Sequence, residues 1–172
     1  MSITPALGSG GRQVFTYAVR RSPSANDGKF VQLLFIKNDL VPRNNCYVHY
    51  ASGVFYLLND DASGWFGLHA RSNKTVGNSQ CTIYGLTSGV SNANDADSPI
   101  LLDVSFRTKF SGAKEIYLLA GDNTGVISGW QKVGDWLVEG DPKTLELVSL
   151  APNSGSGGAV TLTSIVKAGD GA

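Results

Sequence analysis

The chain has 172 residues, 42% of them hydrophobic and only 16% charged, enough to bury one core of ordinary size beneath a weakly charged surface rich in Ser, Thr, Asn and Gly. Lys plus Arg and Asp plus Glu both total 14, and a formal charge of zero offers no field for phosphate backbones or anionic lipid, which argues against nucleic acid as a partner. No apolar run reaches the length of about 18 residues that a span needs, and no basic stretch leads into an apolar one at the start, so neither a membrane span nor a signal peptide is predicted.

In chain order, the segments with β-branched, aromatic or alternating character are QVFTYAVR (13–20), FVQLLFI (30–36), CYVHY (46–50), VFYLLN (54–59), QCTIYG (80–85), ILLDVSF (100–106), EIYLLAG (115–121) and DWLVEG (135–140). SPSANDG, DDASG, SNANDADSP, FSGA and GDNTG stand between them, supplying glycine for positive φ and Asx side chains that close turns. CYVHY and VFYLLN are joined by Ala51, Ser52 and Gly53, a connection that predicts a hairpin with a bulge. No stretch supports a long amphipathic helix. Short strands at close spacing predict an all-β chain, an antiparallel two-sheet sandwich of the immunoglobulin or fibronectin kind, with a jelly roll or closed barrel leaving similar marks.

The sandwich is expected over 1–138, with EGDPK (139–143) as a linker and 144–172 as extra C-terminal strands, TLELVSL and AVTLTSIV. This tail repeats the beginning of the chain. With Ser2 set on Ser149, Pro5 falls on Pro152, Gly8-Ser9-Gly10-Gly11 on Gly155-Ser156-Gly157-Gly158, Phe15 on Leu162, Thr16 on Thr163, Val19 on Val166 and Arg20 on Lys167. Three fates are open to such a tail: the opening strands of a next copy, edge strands folded back on their own domain, or strands added to a neighbouring subunit, which repeated head to tail gives a filament. The apolar residues that would carry strand addition are Leu145, Leu147, Val148, Leu150, Val160, Leu162, Ile165 and Val166.

The residues offer little for catalysis. A hydrolytic nucleophile needs a base, and His49 and His69 are the only histidines; His49 alternates with Tyr47 and Val48 as a strand residue does, and neither G-x-S-x-G nor H-E-x-x-H occurs. Asp60 or Asp61 with Glu115 or Asp122 could be imagined as a glycosidase pair, but adjacent Asp after a strand are ordinary turn formers, so no enzyme is expected. The oxygen-rich loops 59–61, 92–97 and 121–123 resemble calcium ligands by composition without the spacing of a calcium loop, and no metal or other cofactor is expected. Asn73-Lys74-Thr75 fits the N-glycosylation acceptor pattern and marks an exposed loop. The aromatics support a second functional class. Trp65, Phe66, Tyr84, Trp130 and Trp136 could stack on sugar faces, with Trp65, Trp130 and Trp136 as the candidate glycan platform, although a sandwich also needs aromatics for its core. Cys46 and Cys81 both lie in strand-like segments: paired, they close a loop stabilising by about 3–4 kcal/mol and imply an oxidising setting; unpaired, they are two buried thiols of the usual core kind.

As an ordered set, NNCYVHY, FYLLNDDASGW, GNSQCTIYG, FSGAKEIYLLAGDNTG and SGWQKVGDWLV, spanning about Pro5 to Val138, resemble a repeated β-domain of large secreted surface proteins from Acidobacteria and related environmental bacteria. The resemblance implies that Cys46 and Cys81 are that family's cysteine pair and Trp65, Trp130 and Trp136 its tryptophans, and it brings no catalytic residue. The family's SDPNG after the first strand is replaced here by RRSPSANDG. The expected function is an extracellular or cell-surface structural subunit or repeat module that self-assembles as a homo-oligomer or filament through its C-terminal strands, the alternative being a carbohydrate-binding or adhesion module.

Overall fold

The computed structural model describes residues 1–18, 29–36, 43–91, 99–122, 124–140, 145–152, 154–159 and 161–168. The chain runs through β1 (Ser2–Thr4), β2 (Leu7–Ser9), β3 (Arg12–Ala18), β4 (Lys29–Ile36), β5 (Cys46–Ala51), β6 (Val54–Leu58), β7 (Trp65–His69) and β8 (Thr75–Gly77). It continues through β9 (Cys81–Tyr84), β10 (Gly89–Val90), β11 (Ile100–Phe106), β12 (Gly112–Asp122), β13 (Gln131–Val138), β14 (Leu145–Ala151) and β15 (Thr163–Ala168). A 3₁₀ turn at Thr108–Phe110 is the one helical element among the described residues, and none of these residues forms a helix long and apolar enough to cross a membrane. The loop RRSPSANDG and the 92–97 stretch lie outside the described residues.

Residues Met1–Gly140 form one compact unit and Asp141–Ala172 another. The first is the expected all-β sandwich. One sheet has the order β1-β3-β11-β9-β8 with β10 on β11, and the other β2-β13-β12-β4-β5-β6-β7. Pairing is antiparallel throughout except for β2, which lies parallel to β13. The opening residues thus stitch both sheets: β1 joins the first, β2 crosses to the second and β3 returns.

The core follows from strand parity. Phe15 and Tyr17 on β3, Leu102 and Val104 on β11, Leu33 and Phe35 on β4, Val48 on β5, Phe55 and Leu57 on β6, and Ile116 and Leu118 on β12 are all buried between the sheets. Phe15 lies 5.0 Å from Phe35 and 5.1 Å from Trp136, centroid to centroid. Cys46 and Cys81 are joined by a disulfide, which ties β5 of one sheet to β9 of the other. At the hairpin predicted with a bulge, Ala51 pairs directly with Val54, and Ser52 (φ 50°) and Gly53 (φ 80°) make a two-residue turn instead. Positive φ at both positions matches the twist of the flanking strands, so no extra residue is needed.

The second unit is a two-stranded antiparallel sheet of β14 and β15. Leu145, Glu146 and Leu147 pair with Ala168, Lys167 and Val166; the register then shifts at Val148, and Ser149, Leu150 and Ala151 pair with Ile165, Ser164 and Thr163.

Candidate functional site

Two features stand out, an aromatic face on the larger sheet and the repeated hairpin. The aromatic face is built by the residues that alternate with the core. On β4 and β5, Val31, Leu33, Cys46 and Val48 point inward, so Phe30, Gln32, Tyr47 and His49 fall on the opposite side. The register then sets Gln32 beside His49, His49 beside Tyr56, and Tyr56 beside Gly67, so one row crosses four strands. Because β7 offers no side chain at Gly67, this row ends in an open cleft of about 600 Å³ lined by Gln32, His49, Ala51, Tyr56, Trp65 and Gly67.

The cleft's polar groups are held in place. The Tyr47 hydroxyl donates to Gln32 Oε1 at 2.7 Å, which directs the Gln32 amide nitrogen toward His49 Nδ1 at 3.3 Å. An Nδ1 that accepts this bond puts the proton of the neutral ring on Nε2. Burial holds the His49 pKa below its ordinary value, so the ring is uncharged at neutral pH. Its plane stacks on Phe30 at 5.3 Å and lies 5.8 Å from Tyr56 and 6.1 Å from Trp65. Tyr47 meets Trp65 edge-on at 5.2 Å and Trp130 at 5.7 Å. None of the described lining residues carries a formal charge.

The expected glycan platform is therefore divided. Trp65, 44% exposed, and Trp130, half-buried, meet around Tyr47, whereas Trp136 is only 4% exposed. Trp136 faces the core because it alternates with exposed Asp135 and Leu137 on β13, and its indole N–H donates to the Gly10 carbonyl at 3.0 Å, so it cannot serve as a surface platform. Tyr84 belongs to the other sheet, where the Arg12 guanidinium lies 3.8 Å over its ring. Sequence reasoning missed Gln32, Tyr47 and Tyr56, and placed His49 only as a strand residue. Parity against the buried Cys46 and Val48 is the signal that could have grouped Tyr47 with His49.

In the described oxygen-rich turns, carboxylate and amide oxygens are taken up by nearby donors. Asn59 and Asp61 accept from Ser63, Asp60 accepts from the backbone and hydroxyl of Ser79, and Asp122 accepts from Thr124 and Val126. Among the described residues, no three His, Cys, Asp or Glu side chains converge in a way that could hold a metal. Asn73 is exposed between β7 and β8.

The hairpin is the second feature. In the sandwich, Ser2, Ile3 and Thr4 pair with Ala18, Tyr17 and Thr16. In the tail, Ser149, Leu150 and Ala151 pair with Ile165, Ser164 and Thr163, the same register displaced throughout by 147 positions. Gly10 (φ 143°) and Gly157 (φ 145°) share the same unusual backbone at that spacing, and the bonds before Pro5 and Pro152 are both cis. Of the proposed strand-addition residues, Leu145, Leu147, Val148 and Leu150 lie on β14, Ile165 and Val166 on β15, and Leu162 just before it; Val160 lies outside the described residues. Leu150, Leu162 and Ile165 are 43%, 58% and 56% exposed. The counterparts of Leu150 and Leu162, Ile3 and Phe15, are core residues, because β3 has β11 beside it and the sheet of β13 across from it.

No protein-family model matches this chain, and no curated protein matches it in sequence.

Proposed function

We propose that this protein is a structural module of an extracellular head-to-tail array, and that residues 145–168 are the opening strands of a further copy of the sandwich. The observation that carries this reading is the shared register of β1–β3 and β14–β15 at a constant offset. A hairpin that repeats the backbone of a buried element, with Leu150 and Leu162 exposed, presents apolar side chains that further strands could cover. The Cys46–Cys81 disulfide suits an oxidising compartment, and the resemblance to repeated domains of secreted bacterial surface proteins agrees with it.

Covering strands can come from the same polypeptide or from a neighbouring subunit. Exchange between identical subunits has a specific handicap. The hairpin places Ala159 where Arg12 pairs with buried Asp103, and Ser164 where Tyr17 fills the core, so it is a poorer occupant than the strands it would displace. The displaced strands are also tethered, which gives them a high effective concentration. A covalent next copy, differing at the positions that face Ala159 and Ser164, escapes both costs.

The test is to complete the second copy by fusing residues 19–140 after Ile165, alone and with Ala159→Arg and Ser164→Tyr, and to follow amide hydrogen exchange in 149–151 and 163–165. Exchange slowed to the rate of β1 and β3 is the expected result. If the hairpin stays as labile in both fusions as in the chain alone, the reading fails. Deleting 141–172 separates the subunit-exchange form: light scattering should show that only the full chain forms larger species if neighbours exchange strands, and no difference if they do not.

A further inference from the structure

We infer that the outer face of the larger sheet is a binding site for a neutral saccharide, seated in the cleft formed by Gln32, His49, Tyr56, Trp65 and Gly67. This goes beyond the array reading and does not depend on it, since the cleft lies wholly within the first unit. A volume of about 600 Å³ falls inside the range of about 300–1,000 Å³ typical of small-molecule sites, and the cleft is open at the edge as a chain-like ligand requires.

The chemistry of the walls then selects the ligand. Trp65 is 44% exposed although an indole is among the largest apolar groups a strand can carry, and it stands next to a glycine rather than under a covering side chain. An exposed indole face binds the C–H face of a pyranose by dispersion and by the attraction of polarised C–H bonds to the ring quadrupole. Beside it are groups that can donate to or accept from hydroxyls: the Gln32 amide, the Tyr56 phenol and His49, whose proton is directed to Nε2. Gln32 and His49 are already oriented by Tyr47 and by one another, so little rotamer freedom remains to be lost on binding. The described lining residues carry no formal charge, and so offer neither a counter-ion for a phosphate or carboxylate nor an acidic partner for an ammonium group. A polyhydroxylated neutral ligand fits this combination of flat apolar face and fixed uncharged hydrogen-bonding groups.

Gly67 supplies the test that separates a cleft from mere exposure. A Cβ there would sit 3.7 Å from the Tyr56 ring, an ordinary contact, so the backbone admits a side chain at this position, and the further atoms of a leucine would occupy the cleft. The full chain, and its Trp65→Ala and Gly67→Leu variants, would be titrated calorimetrically with hexasaccharides of β1,4-linked glucose, xylose and mannose and of β1,3-linked glucose, with choline as the cationic control. Binding of at least one hexasaccharide is expected, weakened about tenfold or more in Trp65→Ala, as the loss of one stacked aromatic contact predicts, and abolished in Gly67→Leu. Unchanged thermal unfolding of Gly67→Leu shows that the loss is at the cleft. Absence of binding to all four saccharides, binding that survives Gly67→Leu, or binding of choline alone would each overturn the proposal.

Discussion

The strands that open the sandwich and the hairpin that ends the chain share one register and live in opposite environments. Ile3 and Phe15 are 5% and 0% exposed; Leu150 and Leu162, 147 positions on, are 43% and 58% exposed. Local sequence therefore suffices to set the pairing and the glycine backbone between the strands, whereas burial comes from strands far away in sequence. Strand length tells the same story. β3 begins at Arg12 because β11 pairs with it from Arg12 to Tyr17, and the equivalent β15 begins only at Thr163, where its pairing with β14 starts.

The widest gap between the two regions should appear when the equivalent aromatic and aliphatic positions are emptied. Phe15→Ala removes a ring packed against Phe35, Phe106 and Trp136, and should cost about 3–5 kcal/mol in urea unfolding followed by tryptophan fluorescence. Leu162→Ala in the same assay should stay within about 0.5 kcal/mol of the unaltered chain, as surface changes do. Comparable costs at the two positions would mean that the hairpin already has a cover.

How legible these regions were depended on how many neighbours each strand has. Every central strand, β3 to β6, β9 and β11 to β13, was foreseen from alternation or a continuous apolar run, because such a strand must satisfy two neighbours and a core. β1, β2, β7, β8 and β10 were not. They are short or at an edge, and on β7 only Leu68 is buried, so the sequence WFGLH carries no alternation to read. The site divides in the same way. Trp65 and Trp130 were recognisable by type alone, while their partner Tyr47 and the row Gln32, His49, Tyr56, Gly67 exist only once four strands are in register. Trp136 was grouped with Trp65 and Trp130 by residue type alone, which does not show that it takes the core face of β13. Gly134 nearby is required by a backbone crossing, where a Cβ would lie 2.3 Å from the Ala6 carbonyl oxygen.

A second contrast concerns charge. Arg12 donates to both oxygens of buried Asp103 at 3.0 and 2.8 Å, and Thr87 donates to the same carboxylate; the Arg12 counterpart in the tail is Ala159. The Arg12 hydrogen bonds hold the Asp103 pKa below the ordinary carboxylate value despite burial, which opposes them. With the folded value lower than the unfolded one of about 3.9, the unfolded chain binds the proton more readily, so this contribution is complete above about pH 4–5 and fades as pH falls through the folded value. Arg12→Ala should cost about 1–3 kcal/mol at pH 7, less than a fully buried pair because the guanidinium is half in water, and should flatten the acid limb of stability against pH. Ala159→Arg in the unfused chain should alter neither the pH 7 stability nor that limb. An acid limb unchanged by Arg12→Ala would remove Asp103 as its origin.

The contrast between Gly8 and Gly155 is the most discriminating, because it asks whether the tail is shaped to receive an indole. Gly8 lies so close to Trp136 that a Cβ would sit 2.5 Å from the indole ring, and Gly8→Ala should cost about 1–3 kcal/mol by overpacking. Gly155 occupies the equivalent place with nothing within 4 Å, so Gly155→Ala should leave the unfolding of the chain unchanged. The prediction reverses once the second copy is completed by fusing residues 19–140 after Ile165. That copy brings its own counterpart of Trp136 against Gly155, and the same alanine should then destabilise the second sandwich by about 1–3 kcal/mol, read as a separate transition in calorimetry. An alanine that is silent in both contexts would show that Gly155 keeps the composition of the opening strands without their packing. A cost only in the fusion would mean that the glycine is held in readiness for an indole supplied by the next copy.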